Sequence, residues 1–261
     1  GRLQVLTEAQ VTALLFDGRR CTGVEYERGG ARRRLDAGRE VIVSAGALQS
    51  PHILQLAGIG DPEHLAGAGI EVRHALPGVG RNLTDHYGAR VVVRLKGVGS
   101  INEMSHMPRL AWQAARFALF GDGALTTGIT AAMVFCRSRA GLDSPDLQLL
   151  FSPTSFDMQR FGRLEREPGA SITVCNSRPA SRGTVLARSS DPHHLPDVSP
   201  NYLGADYDLD MLKAGIAEAR RILSRPPIAR HVSHELQPAT DDPAALEGYI
   251  RTQGLSISHP V

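Results

Sequence analysis

Residues 3–44 carry the alternation and turn signals of β structure. Residues 3–6 form a strand-like run. Residues 12–16 lead into Asp17-Gly18, a hairpin-turn dipeptide. Residues 21–27 then alternate apolar Val24 and Tyr26 with polar neighbours before a second turn at Gly29-Gly30. Arg32-Arg33-Arg34 falls in the returning strand, where it reads as a solvated face that discourages mispairing. Val41-Ile42-Val43 is a short continuous apolar run, the pattern of a strand covered on both faces. It enters Ser44-Ala45-Gly46-Ala47, small residues that let a bulky ligand approach the backbone. Ser50-Pro51 reads as an N-cap followed by proline at the first helical position. Ile53, Leu54, Leu56 and Ala57 carry that helix, Gly58 can end it, and Asp61-Pro62 opens a second short one.

A glycine-rich connection, Pro77-Gly78-Val79-Gly80-Arg81-Asn82-Leu83-Thr84-Asp85-His86, precedes a strand over residues 89–95. Beyond it a helix is expected at 108–120 and strands at 130–136, 147–151, 172–175 and 183–187. Residues 206–224 form a helix with Leu209, Leu212, Ile216, Ala219 and Leu223 at three- and four-residue steps on one face. Asp206, Asp208 and Asp210 sit at its positive end and Arg220, Arg221 and Arg225 at its negative end, as the macrodipole favours. Pro226-Pro227 stops it, and Asp242-Pro243 starts a last helix bearing Leu246, Tyr249 and Ile250. The class is therefore α+β, with a boundary near residues 84–90.

At ~150 residues per domain, a chain of this length predicts one large domain or two small ones. Net charge is +2, from 29 basic and 27 acidic residues, which gives no reason to expect a nucleic-acid partner. Cys21, Cys136 and Cys175 are odd in number and form no C-x-x-C, which argues for a reducing, cytoplasmic setting and against disulfides or structural zinc. No apolar run approaches the ~18 residues of a membrane span. The longest, residues 110–120, is broken by Gln113 and Arg116, which leaves only peripheral membrane association open. The chain opens directly into apolar pattern and stops at Ser258-His259-Pro260-Val261 without a polar tail, as expected of an internal fragment.

No stretch reads G-x-G-x-x-G; Gly58-Ile59-Gly60 and Gly78-Val79-Gly80 each lack its last glycine. Neither a phosphate-binding G-x-x-x-x-G-K-[ST] loop nor a G-x-S-x-G elbow is present. His231-Val232-Ser233-His234-Glu235 has the wrong order for a zinc hydrolase and reads as surface histidines on a helix or turn. His193-His194 reads as loop. His259 follows the alternating Leu255 and Ile257 and precedes Pro260, a setting in which histidine can act as a base near neutral pH, although spacing alone favours a structural one.

The run Gly46-Ala47-Leu48-Gln49-Ser50-Pro51-His52-Ile53-Leu54-Gln55-Leu56-Ala57-Gly58-Ile59-Gly60 resembles the second signature of the glucose–methanol–choline (GMC) flavoprotein oxidoreductases, with Ala57 where that pattern normally has Ser. Residues 5–11 resemble the segment whose valine backbone meets the adenine of FAD, and residues 76–86 the family's glycine-rich "PGVGxNLxDH" stretch. Pro145-Asp146-Leu147-Gln148, residues 178–183 and Ser199-Pro200-Asn201-Tyr202-Leu203 follow in family order. Ser258-His259-Pro260-Val261 is similar to the start of "YHPVGT", whose histidine is the family's catalytic base.

The resemblance implies FAD-dependent oxidation of an alcohol, with hydride leaving for flavin N5. It assigns His259 as catalytic base, or as the hydrogen-bonding group that holds the alkoxide, and Val11, Ala45 and Gly46 to the adenosine side of FAD, with no metal. It implies a partial FAD-binding α/β domain at 1–88, whose pyrophosphate loop would lie upstream. A substrate domain at 89–251, an antiparallel sheet flanked by helices, would follow, with a return to the FAD domain at 252–261. The family's second catalytic His or Asn would lie beyond Val261, and the electron acceptor, oxygen, quinone or carrier, stays open. Choline-oxidising members place a carboxylate near Ala131, whereas residues 127–135 contain no acid, so a neutral primary alcohol is expected over choline. A lyase on the same scaffold, or an inert fragment, are the competing readings.

Overall fold

The computed structural model describes residues 3–156 and 163–260. Gly1 and Val261, the ends on which the fragment reading leans, lie outside the described residues. The chain begins with strands β1 (Gln10–Asp17), β2 (Arg20–Arg28) and β3 (Ala31–Asp36). Helix α1 (Gly46–Leu56), β4 (Ile59–Gly60), α2 (Pro62–Gly67), β5 (His74–Ala75) and β6 (Arg81–Leu83) follow. Then come β7 (Asp85–Leu95), α3 (Ile101–Met104), α4 (Arg109–Phe120), β8 (Ala132–Cys136), β9 (Leu147–Ser152) and β10 (Gly169–Asn176). The last elements are β11 (Gly183–Leu186), β12 (Asp197–Ser199), α5 (Asp206–Leu223), β13 (Val232–Gln237), α6 (Pro243–Gln253) and β14 (Leu255–Pro260). They divide into two compact units: residues 1–84 with 181–202 and 260–261, and residues 85–180 with 203–259.

In the first unit β1, β2 and β3 make an antiparallel meander. Its turns are the expected ones: Gly18 has φ +55°, and Gly29 and Gly30 both have positive φ, as a tight two-residue hairpin requires. Arg32 and Arg34 lie exposed on β3 and pair with Glu27 and Asp36. Two expected strands do not form. Residues 3–6 and 41–43 run without ladder partners among the described residues, and Leu3, Val5 and Ile42 are 83%, 71% and 76% exposed. Apolar pattern supplies the faces of a strand, but its backbone groups still need a neighbour.

Helix α1 starts earlier in the chain than Ser50-Pro51 predicts, at Gly46. Its N-cap is Ala45, the Ser50 hydroxyl reaches back to accept from the Ala45 amide at 2.9 Å, and Pro51 lies inside the helix. Buried Gln55 then ties α1 to the segment 181–202. Its Nε2 donates to the Val185 carbonyl at 2.8 Å, and its Oε1 accepts from the Ala187 amide at 2.9 Å. Gly80, at φ +77°, lies where a Cβ would come within 2.3 Å of the Val185 oxygen and 2.5 Å of Gln55 Nε2. Gly80 of the connection therefore permits close backbone approach, whereas nothing lies within 4 Å of the place where a Gly78 Cβ would be. Strand β11 pairs with β6 and β12, so residues 181–202, counted with the second domain in the sequence reading, are built into the first unit.

The second unit is a six-stranded antiparallel sheet in the order β13-β7-β10-β9-β8, with β14 also paired to β7. β7 begins at Asp85, four residues before the strand expected from sequence. Its central Val91, Val92 and Val93 are buried, as are Ile172 and Val174 of β10. Helix α5 covers this centre with the predicted face: Leu209, Leu212, Ile216, Ala219 and Leu223 are all buried. Gly215 sets the spacing, since a Cβ there would sit 2.3 Å from Val174 Cγ1 and 2.9 Å from Leu147 Cδ2. The 231–235 run is not a helical patch. It ends a 3-10 turn and becomes β13, where Glu235 takes the Arg220 guanidinium at 2.7 Å.

Candidate active site

His259 lies near the end of β14, whose course is fixed by contacts with the start of β7. Gly254 leaves α6 directly against Tyr87, where a Cβ would fall 2.2 Å from the tyrosine oxygen and 2.4 Å from the Ile250 carbonyl oxygen. Tyr87 Oη donates to that same carbonyl at 3.0 Å, tying the last turn of α6 to β7. The buried carboxylate of Asp85 then holds the strand. Its Oδ2 accepts from the Ser256 hydroxyl, and its Oδ1 accepts from the His259 amide at 2.9 Å. The Ser258 amide donates to Ser256 Oγ at 2.8 Å, with Ser258 itself at φ +55°, in the left-handed region. The His86 and His259 rings stack with centroids 5.3 Å apart and planes inclined by 29°. The His259 side chain is exposed.

This constellation joins groups far apart in sequence: Ser256 and His259 stand 171 and 174 residues beyond Asp85. Sequence reasoning selected His259 and missed Asp85, His86 and Ser256 as its companions. The only signal for them was that Asp85-His86 closes one motif while His259 opens another.

Val11, Ala45 and Gly46 belong to the first unit. Val11 is on β1 opposite Tyr26, and the register then slips so that Ala13 faces Glu25, leaving Thr12 as a bulge. Thr12 Oγ1 is buried with no hydrogen-bond partner among the described residues. Ala45 and Gly46 are exposed at the start of α1; Gly46 has φ +81°, and nothing lies within 4 Å of the place where its Cβ would be. A slipped backbone beside an unpartnered hydroxyl, and a helix start bare of side chains, fit a flat polar ligand laid against the backbone. They do not fit a packed core.

In the second unit a cavity of about 630 Å³ opens between α3, α4 and the segment 123–131 that precedes β8. Ile101, Met104, Thr127, Thr130 and Ala131 line it, together with Gln113 and Arg116. No carboxylate is among the lining residues. Its one cation, Arg116, makes a two-pronged pair with Asp122, both contacts at 2.8 Å. No group of three His, Cys, Asp or Glu side chains among the described residues could hold a metal ion, and no helix is long and apolar enough to cross a membrane.

Two GMC oxidoreductase family models match the chain, one at residues 2–88 and the other at 179–261. Oxygen-dependent choline dehydrogenase 1 of Chromohalobacter salexigens is 32% identical over 265 residues, covering 99% of this chain and 46% of the relative. The oxygen-dependent choline dehydrogenase of Photobacterium profundum is 32% identical over 95% of this chain and 44% of its own. The chain thus spans about half the length of the curated relatives it matches. Among solved structures, a formate oxidase superposes with a TM-score of 0.88 at 24% identity, covering 97% of this chain and 50% of that one. A fungal aryl-alcohol oxidase gives 0.80 at 24% identity, over 97% and 50%. The two family models frame the residues that build the Gly46–Gly60 signature and the His259 clamp, and the chain belongs to the GMC family of FAD-dependent oxidoreductases.

Proposed function

We propose that this chain is the part of an FAD-dependent alcohol oxidoreductase that carries the catalytic base, and that its substrate is a neutral primary alcohol. What supports the reading most directly is exposed His259, its backbone amide bonded to Asp85 and its ring stacked with that of His86, at the position where the family motif places a base. FAD, when bound, supplies the hydride acceptor. His259 removes the hydroxyl proton at a ring nitrogen, so negative charge on the substrate oxygen never develops fully. Val11 through its backbone, and Ala45 and Gly46 through their small size, take the adenosine side of the cofactor. In this reading the unit of residues 1–84 with 181–202 is the partial cofactor domain, and the unit of residues 85–180 with 203–259 is the substrate domain. Three free cysteines fit a cytoplasmic setting.

The substrate preference rests on the cavity beside Ala131. A quaternary ammonium taken out of water needs a counter-charge or an aromatic cage, and neither a carboxylate nor an aromatic ring lines this cavity. Relatives carry the name choline dehydrogenase, so the proposal parts from them on a testable point. Anaerobic mixing of the FAD-loaded full-length protein with aliphatic and aryl primary alcohols, and separately with choline, measures flavin reduction directly. Faster reduction by the neutral alcohols is expected. Faster reduction by choline would overturn the substrate assignment. Cyanohydrin cleavage without flavin reduction by any alcohol would favour the lyase.

A further inference from the structure

The clamp around His259 has a shape that a merely structural tie does not require. One carboxylate, on Asp85, receives two donors that flank the left-handed residue Ser258: the hydroxyl of Ser256 and the amide of His259. The same Ser256 oxygen receives the Ser258 amide, so three successive bonds close around the kink. A non-glycine residue at positive φ persists only where its surroundings over-determine it. Here the Asp85 carboxylate and the Ser256 hydroxyl supply those surroundings beside the pairing of β14 with β7. The neighbouring residue, His86, stacks its ring with that of His259. Backbone and ring of one histidine are thus both contacted by a single dipeptide at the start of β7.

We propose that Asp85 is a positioning residue for His259: its carboxylate sets the Ser258 kink and so the direction in which the His259 ring projects. The assignment rests on the reading of His259 as base. In this role Asp85 acts on the His259 backbone amide and not on the reacting atoms. Its removal therefore lowers the rate of the proton-coupled step without weakening substrate binding, because misplacing a reacting group by about 1 Å is enough to cost ~10²-fold in rate.

The test uses Asp85→Asn, Ser256→Ala and His259→Ala in the FAD-loaded full-length protein. Asp85→Asn preserves size while removing one of the two acceptor oxygens, and Ser256→Ala removes the shared hydroxyl with the carboxylate intact. Single-turnover flavin reduction gives a rate constant and a substrate Kd, and hydrogen–deuterium exchange of residues 255–260 reports the clamp independently of turnover. Asp85→Asn is expected to slow reduction at least ten-fold with Kd within about two-fold of the parent and flavin content unchanged, and to speed exchange at the His259 amide. Ser256→Ala is expected to follow in the same direction by a smaller factor. Parent-like reduction in both variants, beside an impaired His259→Ala, would overturn the positioning role. Parent-like reduction in His259→Ala would instead overturn the base assignment, and unchanged exchange in Asp85→Asn would then remove the clamp as well.

Discussion

At the scale of single residues, this protein places polar side chains where backbone groups would otherwise be orphaned. Gln55 is 1% exposed and satisfies the Val185 carbonyl and the Ala187 amide, with a third contact to the Pro51 carbonyl at 3.2 Å. Each buried polar group left unmade costs about 1–3 kcal/mol, so Gln55→Leu is expected to destabilise the protein by about 2–4 kcal/mol in urea unfolding. Asp146, in the Pro145–Gln148 landmark, accepts from the Ser138 amide and hydroxyl and from Tyr207 Oη, at 2.7, 2.6 and 2.6 Å. Burial pushes its pKa up, but these hydrogen bonds together outweigh burial and hold it below the ordinary carboxylate value. A depressed native pKa stabilises the fold above the unfolded value of about 3.9, and that contribution is lost as pH falls through the native value. The unfolding midpoint should therefore drop below about pH 4, and Asp146→Asn should flatten this acid limb while lowering stability at neutral pH. Burial drives the Cys175 thiol to about 12, so alkylation at pH 8 is expected to spare it while it labels half-buried Cys21.

At the scale of elements, periodicity was legible where a face meets a covering partner. The five residues of α5 named from spacing are all buried, together with Asp208, Met211 and Gly215, and both early hairpins turn at their glycines. Pattern misled where pairing decides the outcome. Residues 41–43 have the composition of a buried strand without a neighbour, and β13 was hidden because its two-residue alternation is broken by His234 and Glu235, whose roles are ionic and edge-exposed. Ser50-Pro51 imitates a helix start, yet both residues lie inside α1, and the Ser50 hydroxyl accepts from the Ala45 amide. The site was half legible: a motif points to His259, while no local pattern reveals that Asp85 and Ser256 meet across the chain. Close packing at Gly215 was equally invisible. Gly215→Ala gains up to about 1 kcal/mol of helix propensity but forces a methyl against Val174 and Leu147, at a cost of about 1–3 kcal/mol. Net destabilisation, seen as a lower midpoint in thermal unfolding, is the expected result.

At the scale of the whole molecule, two units of mixed α and β structure carry different halves of the proposed chemistry. The first presents the bare start of α1 and the bulge at Thr12, and the second presents His259 and a cavity without carboxylates. Large apolar side chains remain exposed in each, Ile42 at 76% in the first and Trp112 and Phe120 at 63% and 72% in the second. Such surface marks sites of further contact. The 261 residues expressed alone are therefore expected to bind an apolar fluorescent dye and to self-associate as concentration rises, measured by light scattering.

The central claim is that His259 takes the substrate proton as the alcohol is oxidised. Its most direct test compares anaerobic flavin reduction by a primary alcohol in the FAD-loaded full-length protein and in His259→Ala. A positioned general base contributes typically ~10²–10⁴-fold, so a loss within that range, with flavin content retained, is the predicted result. Reduction at the parental rate in His259→Ala would contradict the account.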